Sequence, residues 1–283
     1  MKRLFFKIVL FVVLLNAGLT GCVSLKHVSG FSSESLESVR KFETIDYGFR
    51  QNCLENCNNR KILDLIISSR DCDCKADEKA DSVTLIIYHA IKGYLTGLTN
   101  LTNNNLTNYK LDPLSGSLSG SELGSIRFEK SQVEAYSAIS KILLRAFTDK
   151  YRSHKIKEYV KAGNGPLKVL IGFLDFNLAE NLTGKLNVQK ELLKDTYFDL
   201  TKDPTLSTFE KRKAVEAYYQ QIGNIDRQQK ELITYSKSLK KIAFGHQELA
   251  DNIDKLSKKE IKEQLTQCAS DIQDLISAFN KIK

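Results

Sequence analysis

Apolar positions recur with helical spacing along most of this chain, and the longest series runs from Tyr218 to Ile253. Tyr218, Ile222, Ile225, Gln229, Leu232, Ser236, Leu239, Ala243, His246, Ala250 and Ile253 follow one another in alternating steps of four and three. Such a heptad seam keeps one stripe of a helix turned toward a partner. Sustained for about five repeats, it predicts one helix of roughly 50 residues, about 75 Å long. Gln229, Ser236 and His246 are its polar members, suited to fixing register or to a local hydrogen bond, and His246 adds a protonatable group. Ile261, Leu265, Cys268, Ile272, Leu275, Phe279 and Ile282 repeat the spacing, so a second helix folds back on the first as an antiparallel hairpin. At its seam position Cys268 behaves as a small hydrophobe and is expected to be buried and unpaired.

Helix boundaries are marked by residues that satisfy orphan backbone groups. Ser131–Glu134, Ser207–Glu210 and Ser257–Glu260 each fit a capping box, in which the two side chains bond reciprocally to backbone N–H groups. The first opens a helix over 131–161. The GNGP stretch at 163–166 ends it and starts another, with Pro166 in the first turn. That helix runs to about Leu200, with a break allowed at Gly184. Upstream, residues 34–70 are helical with an interruption near the cysteines, and a further helix covers 76–98. Its VTLIIYHAIKGYL stretch is apolar on nearly every face, which suggests a buried central helix, with His89 hydrogen-bonded in the core. Residues 99–125 are crowded with Asn, Ser, Gly and Thr and read as a long loop. The pattern predicts an all-α, elongated helical bundle in four parts: a leader over 1–21, a helical region over 22–98, a loop over 99–128 and a long-helix bundle over 129–283.

The leader changes the picture most. Lys2, Arg3 and Lys7 precede an uninterrupted apolar run of only Ile8 to Leu15, and a spanning helix needs roughly 20 such residues. A positive start, a short apolar middle and a small-residue exit characterise a secretory signal. The exit, Leu19-Thr20-Gly21-Cys22, resembles the lipobox of bacterial lipoproteins. The resemblance covers residues 1–22 and implies that the Cys22 thiol receives a diacylglyceryl group, that the bond before it is cut, and that the mature chain is held to a membrane by lipid. Several acyl chains hold firmly, since each buried CH₂ contributes about 0.8 kcal/mol. Val23 differs from the aspartate that this class uses for inner-membrane retention, which favours the outer membrane facing the periplasm.

Export places the remaining cysteines in an oxidising compartment. Cys53, Cys57, Cys72 and Cys74 form a CLENC and a CDC motif, and the intervening NNRKILDLIISSRD can turn the chain back. Disulfides are therefore expected, and nesting Cys57 with Cys72 inside Cys53 with Cys74 would staple a hairpin. Four cysteines allow three connectivities. Two other chemistries compete. Four thiolates can hold zinc, although structural zinc prefers closer knuckle spacings. A CDC pair can be redox-active, although Asp71 and Asp73 beside it oppose thiolate formation.

Charge and motifs exclude more than they assign. The formal charge is +8, of which Lys2, Arg3 and Lys7 in the leader supply three, leaving +5. That suits contact with anionic headgroups or wall polymers and not the dense basic footprint of a nucleic-acid binder. No HExxH, GxSxG or P-loop occurs, the four histidines His27, His89, His154 and His246 are scattered, and no cofactor or metal is expected. The leading expectation is a non-enzymatic, lipid-anchored envelope protein, an interaction or scaffold module that binds another envelope protein, with the cysteine-rich hairpin near the tether at Cys22 and the C-terminal hairpin at the far end. One alternative is a protective lipoprotein that binds an incoming toxin or phage factor. Another is a metal-binding or redox protein built on the cysteine cluster.

Overall fold

The computed structural model describes residues 21–68, 70–103, 122–123, 126–148 and 156–283. The leader before Gly21 and most of the predicted loop lie outside the described residues. The fold is all-α. Its helices are α1 (Gly21–Arg40), α2 (Phe49–Leu63), α3 (Lys75–Thr102), α4 (Lys130–Thr148), α5 (Ile156–Asp175), α6 (Thr183–Lys202), α7 (Thr208–Asn252) and α8 (Lys259–Asn280). At the edges of the predicted loop, α3 continues through Thr102, and a two-stranded hairpin pairs Glu122–Leu123 with Ile126–Arg127.

α7 is the predicted long helix. Its 45 residues begin at a formed capping box, with Glu210 N–H donating to Ser207 Oγ and Ser207 N–H donating to Glu210 Oε2. The seam is buried from Ile225 to Ile253 except at half-buried Ala243. A second stripe, Tyr235, Ile242 and Leu249, is buried as well, because α1, α5, α6 and α8 all pack on α7. α7 is thus the axis of a bundle, and the two-helix seam is only one of its faces. The polar seam residues are satisfied. Gln229 Nε2 donates to Asn187 Oδ1 at 2.6 Å, and Ser236 Oγ donates to Asp175 Oδ1 at 2.5 Å.

Several predicted boundaries are corrected. The boxes at Ser131 and Ser257 do not form. α4 starts at Lys130, with Glu129 N–H donating to Gln132 Oε1, and α8 starts at Lys259 after Lys258, without a side-chain cap. The stretch predicted as one helix over 131–161 falls in α4 and α5, with 149–155 between them outside the described residues, and GNGP lies within α5 rather than breaking it. The reason is packing. A Cβ at Gly163 would sit 2.5 Å from the Tyr94 ring, and Asn164 hydrogen-bonds to His246. The two residues form a notch for a neighbouring helix, and the burial of Leu167, Leu170 and Leu174 just beyond offsets the missing donor of Pro166. The irregularity expected at Gly184 occurs just upstream, as a π-helical stretch Phe176–Leu182 joining α5 to α6. There Asn177 Nδ2 donates to Phe173 O and Thr183 Oγ1 to Leu178 O, so side chains occupy carbonyls that the wider register displaces.

The layout along the bundle also reverses an expectation. The sequence places the cysteine hairpin near Cys22 and the C-terminal hairpin at the far end. Instead α1 lies in the bundle against α3, α7 and α8. His27 Nδ1 is 3.1 Å from Thr266 Oγ1 near the start of α8, and Ser29 Oγ donates to Asn103 just past α3. The α7–α8 turn and the C-terminal end of α3 therefore share an end with Cys22. Cys74, which precedes α3, lies about 42 Å away along that 28-residue helix.

α1 approaches α7 closely at Gly245, where a Cβ would sit 2.4 Å from the fully buried ring of Phe31. Gly245→Ala is expected to destabilise the protein. Overpacking costs about 2 kcal/mol, more than the about 1 kcal/mol that alanine contributes to a helix. A urea midpoint that falls agrees with this packing, and one that rises contradicts it.

Candidate functional site

The four clustered cysteines are brought together as two nested disulfides, Cys53–Cys74 with S–S 2.00 Å and Cys57–Cys72 with S–S 1.99 Å. The i, i+4 spacing puts Cys53 and Cys57 on one face of α2, and α3 follows directly from Cys74. The thiolates that zinc or a dithiol redox centre would need are thus bonded to each other. Among the described residues no group of three His, Cys, Asp or Glu is arranged to hold a metal. Cys268 is buried and unpaired, as its seam position implies.

The base of this hairpin is firmly built. Asp81 on α3 accepts from Phe49 N–H at 2.8 Å and Arg50 N–H at 2.9 Å, so a side chain from another helix satisfies the orphan donors at the start of α2. Gly48 leaves room for it, since a Cβ there would sit 2.7 Å from Asp81 Oδ1. Burial raises the Asp81 carboxyl above its ordinary range, against the two backbone N–H donors that lower it. Beside it, fully buried Asn52 donates to Tyr47 Oη at 3.0 Å, and Tyr47 donates to Glu55 at 3.2 Å. Gln189 of α6 joins this set through Asn52 at 3.5 Å.

The tip is built differently. α2 ends in a Schellman motif, with Ile66 N–H donating to Lys61 O at 2.8 Å and Leu65 N–H to Ile62 O at 3.2 Å. The residue that carries the left-handed conformation is normally glycine. Here it is Leu65, at φ 51°. A bulky residue in that conformation costs about 1 kcal/mol. It is also 91% exposed, and the side chains around it follow suit: Ile62 is 69% exposed and Ile67 fully so. Lys61 Nζ donates to Arg70 O at 2.8 Å, closing the loop beneath these residues. Five apolar side chains, Ile62, Leu63, Leu65, Ile66 and Ile67, thus stand in solvent on a doubly clamped loop.

The remaining sequence candidates do not join this site. His89 sits on the exposed face of α3 with its ring 5.0 Å from Tyr88, a correction to its expected core position. His246 is 1% exposed in the bundle core. Its Nε2 lies 2.8 Å from Tyr94 Oη and its Nδ1 3.0 Å from Asn164 Oδ1. Asn164 Nδ2 donates to Gln247, so its carbonyl faces the ring, Nδ1 carries the proton and Nε2 accepts from Tyr94. Burial pushes the imidazole pKa down to about 4.

The cysteine spacing points to the clamp, whereas ILDLII reads in the sequence only as chain that turns back. The signal was there. Six residues with one acid, enclosed between cysteines in a loop too short to cover them, have little opportunity to be buried. The backbone of Cys22 lies in the first turn of α1, while its side chain and the leader lie outside the described residues. No helix among the described residues is long and apolar enough to cross a membrane. Comparison with protein-family models, with curated proteins and with solved structures finds no match to this chain.

Proposed function

We propose that this chain is a lipid-anchored envelope protein, held at Cys22, which acts as a non-enzymatic interaction module and binds another envelope protein through its disulfide-clamped loop. The observation that carries the reading is Leu65. A bulky apolar side chain is held in a conformation that glycine adopts more readily, at nearly full exposure, with Ile67 fully exposed beside it. Local strain of this kind persists where the surrounding structure enforces it and tends to mark binding sites. Two disulfides supply the enforcement. Clamping also lowers the entropy lost when the loop engages a partner. An apolar cluster of this kind on a monomer's surface suits a protein interface. The lipobox at Leu19–Cys22 and the residue Val23 support the outer membrane as its place, with the bundle in the periplasm.

Leu65→Gly separates folding from binding. Glycine relieves the left-handed residue, so the variant is expected to gain about 1 kcal/mol in stability. At the same time it loses the most exposed apolar side chain of the Schellman turn. A photo-crosslinker at Ile67 in intact cells is expected to give one discrete adduct. That adduct should weaken at least tenfold in Leu65→Gly and be absent when the crosslinker is moved to His89. An adduct unchanged by Leu65→Gly, or none at Ile67, would contradict the reading.

A further inference from the structure

We infer that the bundle stands end-on upon the membrane that holds Cys22, with its α7–α8 turn seated among anionic phospholipid headgroups. The inference rests on the reading of Cys22 as the lipid-bearing residue and adds a second, electrostatic contact to that anchor.

Cys22 is joined closely to the bundle. α1 is helical from Gly21 to Arg40 without a break, and Leu25 already packs against the core. Only Val23 and Ser24 separate Leu25 from Cys22. Even fully extended, that length of chain spans only about 10 Å. Lipid at Cys22 would therefore be joined to the body by a short, helical connection and not by a flexible tether. Whatever lies at this end of the bundle is brought to the bilayer surface.

What lies there is the α7–α8 turn. His27 meets Thr266 at 3.1 Å, and Lys161 of α5 meets Asp254 in the turn at 2.5 Å. Lys255, Lys258 and Lys259 are exposed on and just after this turn, and Lys26 is exposed on the first turns of α1. The acids beside them are largely matched. Asp254 is shared by Lys157 at 3.5 Å and Lys161, and Glu263 pairs with Lys259 at 3.6 Å. Among the described residues Lys26, Lys255, Lys258 and Lys262 have no acid partner, and against these four stands Glu260 in the first turn of α8. Glu248 and Asp251 lie farther back along α7. Between α1 and α8 an open groove of about 420 Å³ is lined by His27, Lys259, Lys262, Glu263, Thr266 and Gln267, wide enough to receive a headgroup phosphate beside Lys262, since Glu263 in the same groove already pairs with Lys259.

The chemistry of the partner follows. Unpaired lysines held within a Debye length of a bilayer gain from a negative surface, by about fivefold in affinity for each. A zwitterionic surface offers no such gain. Seating this end on the membrane also turns the disulfide clamp, about 42 Å away along α3, toward the space where an envelope partner would be met.

The test uses the protein purified from its native envelope and reconstituted into vesicles of phosphatidylcholine, with or without phosphatidylglycerol. Backbone amide exchange over residues 253–263 is expected to slow at least threefold on the anionic vesicles only. Salt of about 0.5 M should abolish the slowing, as should the triple substitution K255E/K258E/K262E. Unchanged thermal unfolding of that variant keeps the comparison clean. Equal exchange on both vesicle types, or slowing that survives the triple substitution, would overturn the end-on seat. The intact mass of the same sample separates this from the anchor itself. Acylated protein without slowing overturns the seat alone, whereas an unacylated Cys22 overturns the anchor reading on which the seat rests.

Discussion

Reducing both disulfides is expected to melt residues 53–73 and leave the bundle helical. A loop of 15 residues closed by a disulfide contributes about 3 kcal/mol in the chain-entropy account, and the second, nested closure adds about 2 kcal/mol. Apart from the clamp, polar contacts at Glu55 and Lys61 hold this stretch, and no packed core does. From Cys53 onward α2 has no buried residue, while Phe49 and Asn52 before it are buried. The clamp therefore stabilises the tip, whereas the core that joins α1, α3, α5, α7 and α8 does not depend on it. Cys57 and Cys72 are both partly exposed and Cys74 is buried, so a mild reductant should open Cys57–Cys72 first. Peptide-resolved amide exchange with and without reductant checks this. Protection should vanish over 53–73 and persist over α3 and α7. Cooperative loss across the whole chain would mean that the disulfides hold the bundle itself, and unchanged exchange would mean that the loop needs no clamp.

The second large effect comes from His246. Its folded pKa of about 4 lies below the ordinary value of 6.5 because burial disfavours the imidazolium. The unfolded chain thus binds this proton at higher pH than the native protein does. Stability from the neutral, buried ring is fully present above pH 6.5 and is lost as the pH falls from there to about 4. The loss amounts to about 3 kcal/mol in all. The geometry agrees, since Nε2 accepts from Tyr94 in the only tautomer that also satisfies Asn164. Protonating Nε2 would put two hydrogens between the ring and Tyr94 until the hydroxyl turned away. Urea unfolding at pH 7 and pH 5 should show the wild-type protein losing stability, and His246→Gln, which has no proton to gain, losing markedly less. Equal losses would place the pH dependence elsewhere.

Much of the fold was legible because helices announce themselves by period. The seam from Tyr218 to Ile253 and the capping box at Ser207 located α7 closely, and the spacing around Cys268 revealed its burial. What could not be read was three-dimensional exchange between helices. GNGP carries every local mark of a break, yet Gly163 and Asn164 serve Tyr94 and His246 on neighbouring helices, and that tertiary demand outweighs local propensity. The boxes at Ser131 and Ser257 failed because an adjacent residue opened each helix one or two positions away from the expected start. The cysteine pairing was one of three connectivities until the fold put Cys53 against Cys74. Which end of the molecule carried Cys22 was hidden altogether, since it depends on α1 lying against α8, a contact between residues more than two hundred positions apart.

In the proposed arrangement lipid holds one end of the molecule, and the other end presents a clamped apolar loop. Intact mass of the protein purified from its native envelope, measured before and after reduction and alkylation, addresses both ends at once. The predicted result is a chain beginning at Cys22 and carrying acyl mass. Cys53, Cys57, Cys72 and Cys74 should resist alkylation under denaturing conditions until reduced, while Cys268 alkylates without reductant. A chain without acyl mass, or four cysteines that alkylate without reductant, would contradict it.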